Sequence, residues 1–346
     1  MTKRKEQPPH GPARRFHAQF DRLQAAITAA VAFSVANPQT RVGEAFYRAD
    51  GRTPLFYLEG LARLRFKTGP DRRQGAQWLL RFKALEDSVG QLDYWRDLQQ
   101  RGSAWKLPAP ILAYWQARAE QALGVVDHIL ARQGWATVAD DAWSANGPEM
   151  AALRAETRAS RAYSPKKEAK ILAGTLAKYT GEIQSSLENG RLDLGQLEHG
   201  IHEFRRKLRW LPIYGLALGG KIVLDVPDRN GPFGEFVTDE MIQSRFNQLA
   251  PDPVDHYTVR YHAGCFYATS ALIAQIGKLK DRGLWTEEVS RSATIVGLDP
   301  GRTALLLGAD AIGHAELVGK IGNLVQSVVV QPRLLAHMSA HLRGQA

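Results

Sequence analysis

Cysteine is almost missing from this chain: Cys265 is the only one among 346 residues. No intrachain disulfide can form and no cysteine-based metal site can be assembled, which suits a reducing cytoplasm. Phe266 and Tyr267 follow Cys265 on an apolar helical stretch, so a buried, inert thiol is expected rather than a nucleophile. Long hydrophobic runs are lacking too. No stretch of about 18 or more apolar residues occurs, so no membrane-spanning helix is expected. The phosphate-loop pattern, the GxSxG elbow and the dinucleotide fingerprint are all absent. Gly219-Gly220-Lys221 comes nearest to the first, but isoleucine follows where a magnesium-binding hydroxyl belongs. Asp140 and Asp141 form an adjacent carboxylate pair in a loop, and Ser144 stands where a prenyl-diphosphate-type enzyme needs a third acid. A cap or hinge is the expected role of that pair. Asp127-His128 and Asp255-His256 invert the His-Asp order of metal phosphohydrolases, and His17, His199, His202, His262 and His314 show no ligand spacing. The sequence therefore reads as a binding protein rather than an enzyme, with no metal and no cofactor.

Acidic residues are in deficit. Lys and Arg number 45 against 35 Asp and Glu, a formal charge of +10, and the sequence pI is about 9.7. This asks for an anionic partner without distinguishing nucleic acid, anionic lipid or an inorganic polyanion. A hydrophobic content of 44% is typical of globular proteins, and the length allows one large or two ordinary domains.

What the chain does have is concentrated in Leu197–Tyr214, LEHGIHEFRRKLRWLPIY. His202, Arg205, Arg206 and Arg209 stand at i, i+3, i+4 and i+7 and share one helical face. Leu197, Ile201, Phe204, Leu208 and Leu211 occupy the opposite side. Like charges at i,i+4 cost roughly 0.2–0.5 kcal/mol per pair on an exposed helix. Glu203 is the only acid close by in sequence, and its position predicts that it points away from the arginines. Such a face suits a polyanion, since guanidinium groups present planar, multidentate donors to phosphate oxygens. Arginines lying over apolar neighbours, or meeting acids from elsewhere in the chain, are the structural alternative. His202 is expected to be neutral, because cations one turn away disfavour its protonation. Pro212 predicts a kink or an end near Leu208–Trp210.

Residues 1–14 read as a disordered basic tail, with Pro8, Pro9, Gly11 and Pro12 opposing regular structure and no apolar core of a signal peptide. From Arg15 the pattern is helical, with Phe16, Phe20, Leu23, Ile27, Val31 and Val35, and it stops at Asn37-Pro38. A helix over Leu55–Lys67 places Arg63 and Lys67 on one face and Arg65 on its apolar side. A long helix over Asp71–Gln99 carries Trp78, Phe82, Leu85, Val89 and Leu92. A loop over Arg101–Pro110 and a helix over Ile111–Gln133 follow, and polar, irregular Ala136–Glu149 marks the boundary between two halves, 15–150 and 151–346. Ser164-Pro165 signals the start of a helix on which Lys166 and Lys170 share a face; an anion there would relieve their conflict with the helix dipole, and a solvated surface run is the alternative. Asp252-Pro253 predicts a helix running to about Arg282, with His256, Arg260, Tyr267 and Lys278 as a second anion-facing stripe. Gly308, Gly313, Gly319 and Gly322 in the last part would permit close helix packing. LEDSVGQL at 85–92 and LIAQIGKL at 272–279 match at Leu85/Leu272, Val89/Ile276, Gly90/Gly277 and Leu92/Leu279, a faint internal duplication.

HEFRRKLRW at 202–210 resembles the signature helix of the conserved histidine α-helical domain (CHAD) family: a histidine, an arginine three residues later, and further basic turns, here His202, Arg205 and Arg209. The resemblance implies an all-α fold of two helical bundles related by duplication, with a basic groove between them, and inorganic polyphosphate as partner. It further implies a cytoplasmic location at polyphosphate granules. Residues expected to contact the polyanion are His202, Arg205, Arg206 and Arg209, with Arg63, Lys67, Lys166, Lys170, Arg260 and Lys278. The first half departs from the family, since Leu55 and Leu58 stand at the turns where a histidine-bearing basic helix is expected. Two other readings are open: a nucleic-acid binder, for which Trp95 and Trp105 near a basic loop would stack bases, and a helical enzyme acting on a phosphorylated substrate through Asp140 and Asp141.

Overall fold

The computed structural model describes residues 11–139, 142–251 and 253–346. The basic stretch before residue 11 and the Asp140–Asp141 pair lie outside the described residues. The fold is all-α, with two short two-stranded pairings. Two compact units divide the chain: one runs to Gln99 and resumes over Trp115–Tyr163, the other takes Gln100–Tyr114 and Ser164–Ala346.

The first unit is built from α1 (Pro12–Ala36), α2 (Val42–Arg48), α3 (Arg52–Thr68), most of α4 (Arg72–Ala104) and of α5 (Ala109–Arg132), whose residues within 100–114 belong to the second unit, and α6 (Pro148–Ala159), with a hairpin of β1 (Thr137–Ala139) and β2 (Ala142–Ser144). Pro12–Arg14 belong to the first turn of α1 rather than to a tail, because proline at N1 or N2 is preorganised for a helix start. Arg101–Ala104 likewise extend α4 instead of forming a loop. The three- and four-residue spacing seen in the sequence becomes an aromatic core. Phe16 meets Trp78 edge-on at 5.0 Å between ring centroids, Phe20 lies 6.2 Å from Phe82, and Phe82 lies 6.3 Å from Trp135. Around that core several arginines pair with acids. Arg41 pairs with Asp127, Arg81 with Glu149 and Glu156, and Arg96 with Glu44 and Glu120. Arg65, placed by the sequence on the apolar side of α3, is buried and meets Asp71 at 3.3 Å.

The second unit comprises α7 (Pro165–Glu188), α8 (Glu203–Ala217), β3 (Ile222–Leu224), α9 (Asp239–Gln243), β4 (Val259–Tyr261), α10 (Ala263–Ile295), α11 (Pro300–Ala304), α12 (His314–Val325) and α13 (Leu334–Arg343). Helix α8 does not end near Leu208–Trp210; it carries Pro212 inside and runs on to Ala217. Burial of Leu208, Leu211 and Tyr214 against neighbouring elements outweighs the one backbone donor that proline removes. The helix expected from Asp252-Pro253 starts only at Ala263. Residues 259–261 pair in parallel with 222–224 instead, and His262 provides the N-cap, its Nδ1 accepting from the Cys265 N–H at 3.3 Å. The late glycines make no close packing: a Cβ at Gly308, Gly313, Gly319 or Gly322 would meet nothing within 4 Å.

Lys221, just after Gly219-Gly220, ties this unit together. Its side chain is 0% exposed. The ammonium donates to Asp255 Oδ2 at 2.9 Å and to the Pro165 carbonyl at 3.2 Å, with Glu168 at 3.9 Å. One buried cation thus fixes the start of α7 against the loop that leads into β4.

Candidate functional site

The basic helix begins in a wider coil than its sequence predicts. Residues 197–202 form a π turn in which the Ile201 N–H donates to the Gln196 carbonyl, five residues back, at 2.9 Å. Only glycine fits at position 200, since a Cβ there would stand 1.6 Å from the Asp193 carbonyl oxygen. The extra residue in this turn still lets Leu197 and Ile201 bury with Phe204, Leu208 and Leu211, so the expected apolar face is the observed one.

The polar face is less uniform. Arg205 is half-buried and lies across Gly277 of α10, where a Cβ would be only 2.7 Å from its Nη2. Its Nε donates to the Ile273 carbonyl at 3.0 Å. Among the described residues no carboxylate lies within ion-pair distance of Arg205, and its terminal nitrogens have no protein hydrogen-bond partner. Burial pulls its pKa down, and the nearby charge of Asp281 opposes that. Arg206 is different. It is exposed and pairs with Glu203 at 2.5 Å, and the same carboxylate holds Lys207 at 3.4 Å. Glu203 therefore does not point away from the basic face: from one turn below it reaches the cations at i+3 and i+4. Arg209 is half-buried and has interactions within the protein.

His202 stands beside these groups, half-buried, its Nδ1 enclosed and without a hydrogen-bond partner among the described residues. Burial lowers its pKa most, and Lys280 lowers it next, with Arg206 and Arg205 adding to the effect and Glu198 opposing it. Burial and the neighbouring cations thus favour the neutral imidazole, the direction expected from the sequence. Lys280 is the residue that sequence reasoning missed. It sits on α10 with a side chain only 10% exposed and pairs with Asp281 at 2.9 Å. Its place among the leucines and isoleucines of LIAQIGKLK hid it. The only pointer was Gly277, three residues earlier.

The remaining expected contacts are scattered. On α3 of the first unit, Arg63 is held by Glu59 at 2.6 Å and brings no spare charge, while Lys67 is exposed and has interactions within the protein. In the second unit Lys166 and Lys170 are exposed at the start of α7, and Lys278 is exposed on α10. Arg260 is exposed but on β4, its backbone gripped by the Gln345 amide at 2.7 and 2.9 Å. His256 precedes β4 in a loop, so the second stripe expected on a continuous helix, His256 and Arg260 with Tyr267 and Lys278, does not exist as one. Parallel pairing with β3 took its first half off the helix.

Cys265 is buried, and desolvation pushes its thiol up to about 12, so it is inert. Among the described residues no three His, Cys, Asp or Glu side chains are placed to hold a metal ion, and no helix is long and apolar enough to cross a membrane. Compared with protein-family models, curated proteins and solved structures, the chain matches none.

Proposed function

We propose that this protein binds a linear polyanion on the second unit, with Arg205 as the central contact and inorganic polyphosphate as the ligand that the resemblance to the CHAD family implies. The carrying observation is the state of Arg205: a half-buried guanidinium that spends one donor on a carbonyl and none on a carboxylate. A buried cation without an acid is costly unless something negative offsets it. Phosphate oxygens match the free edge of the guanidinium, and successive phosphates would extend to the exposed ammonium groups of this unit. His202 serves as a neutral donor. With Nδ1 enclosed and unpartnered, Nε2 is the nitrogen that can offer its proton to a phosphate oxygen. Counterions released from the polyanion would supply much of the affinity. A cytoplasmic site at polyphosphate granules goes with this reading.

Two features weigh against nucleic acid. Trp95 is 4% exposed, and Trp105 is engaged with Trp285 at 5.4 Å and with the Asp310 carboxylate at 3.0 Å, so neither offers a free stacking face. Competition at equal phosphate concentration tests the choice. Long-chain polyphosphate should displace labelled single- and double-stranded DNA from the protein, and a preference for either DNA would overturn the proposal.

A further inference from the structure

Arg205 on Gly277 has a counterpart inside the first unit. Arg52 of α3 lies across Gly90 of α4, where a Cβ would be 2.6 Å from its Nη2, against 2.7 Å in the second unit. The Nε of each arginine is taken by the residue four before the glycine: Glu86 Oε1 at 2.9 Å for Arg52, the Ile273 carbonyl at 3.0 Å for Arg205. Gly90 and Gly277 are the two glycines matched by LEDSVGQL and LIAQIGKL, so the sequence repeat and the arginine geometry coincide. The burial that follows each arginine also coincides, Leu55 with Leu208 and Leu58 with Leu211.

The two seats differ in charge: in the second the acid that acts on Arg205 is Asp281, and Lys280 pairs with it. In the first unit Glu86 takes the Nε, and Asp93 accepts from Arg52 Nη1 at 2.7 Å, so two carboxylates enclose the guanidinium. At the matching positions the second unit has Ile273 and Lys280. Position for position, Thr53 and Phe56 stand where Arg206 and Arg209 are, and Ala49 stands where His202 is. Burial and Arg52 act on Glu86 in opposite directions, desolvation raising its pKa and the arginine lowering it, as in a closed ion pair.

We infer that one arginine-on-glycine seat is used twice in this chain, closed by its own acids in the first unit and made into an oxyanion receptor in the second by the change from Asp93 to Lys280. This rests on the proposed polyanion site and says which seat carries it, and Lys280 is a positioning residue that acts on the imidazole of His202, while Asp281 is the charge that acts on Arg205. A buried ammonium and a half-buried guanidinium with only Asp281 between them in charge would repel a cation and favour an oxyanion. The closed seat would instead act as a structural clasp between α3 and α4.

Inorganic sulfate, a generic oxyanion, is the probe that does not depend on polyphosphate. The His202 ring signal, followed by NMR, should respond to sulfate in the wild-type protein and equally in Arg52→Gln. Lys280→Gln should weaken that response by about tenfold, the scale of one charged contact, and move the His202 pKa upward. Lys280→Arg, which keeps the charge, should bind within a few-fold of wild type and guards against a folding defect. Wild-type affinity in Lys280→Gln, or a loss in Arg52→Gln as large as in Lys280→Gln, would overturn the inference. Sulfate binding that follows this pattern without polyphosphate binding would end the polyphosphate reading alone.

Discussion

Arg205→Gln should weaken polyphosphate binding by about ten- to hundredfold, while Arg206→Gln, one residue away, should change it by less than about threefold. The two arginines look alike in sequence and differ in what they touch. Arg206 is exposed and shares Glu203 with Lys207, so its charge is largely answered before any ligand arrives. Arg205 has its Nε fixed on the Ile273 carbonyl and its plane against Gly277, which leaves the terminal nitrogens oriented and unspent. A charge-assisted hydrogen bond from a preordered donor contributes about 1.5–3 kcal/mol, whereas an exposed ion pair of the Arg206 kind contributes ~1 kcal/mol or less. Titration at several salt concentrations separates these contributions. The Arg205 variant should also show a flatter dependence of affinity on salt, with unchanged helical circular dichroism. Equal losses in both variants would mean that charge density alone governs binding.

Lys221→Ala should destabilise the second unit by about 3–5 kcal/mol, the range for breaking a buried ion pair. The ammonium is enclosed by Asp255, Glu168 and the Pro165 carbonyl, so truncation removes the cation that these acceptors share and leaves a cavity as well. Lys221→Met, which restores volume but not charge, should recover only the cavity part. Urea unfolding measures both, and a loss below about 1 kcal/mol for the alanine variant would show that water replaces the ammonium at no cost. The Lys221 contacts bear on the proposed anion site because α7 supports α8, through the Tyr179 hydroxyl donating to the Lys207 carbonyl at 2.9 Å.

The all-α class and most of the core were readable from periodicity. Phe16, Phe20, Leu23 and Ile27 of α1, and Trp78, Phe82, Leu85 and Val89 of α4, are all buried, because a repeat of three and four leaves such side chains one face to share. The apolar face of α8 was readable for the same reason. Non-local pairing was not. Val259–Tyr261 becomes a strand only because Ile222–Leu224 lies alongside it, and no local signal separates that segment from a helix start at Asp252-Pro253. Charge compensation was equally hidden. The reach of Glu203 to Arg206 and Lys207 is set by side-chain rotamers, and the enclosure of Arg63 by Glu59 has the same origin. Lys280 was invisible because a lysine in an apolar repeat reads as surface, while here the packing of α10 buries it beside His202.

The central claim is that Arg205 with His202 is the place where a phosphate chain docks. A crystal soaked with short-chain polyphosphate tests it most directly. A phosphate group should lie within hydrogen-bond distance of an Arg205 terminal nitrogen and of His202 Nε2, with Nε still on the Ile273 carbonyl. A bound chain that bypasses Arg205 and follows only exposed lysines would contradict the account.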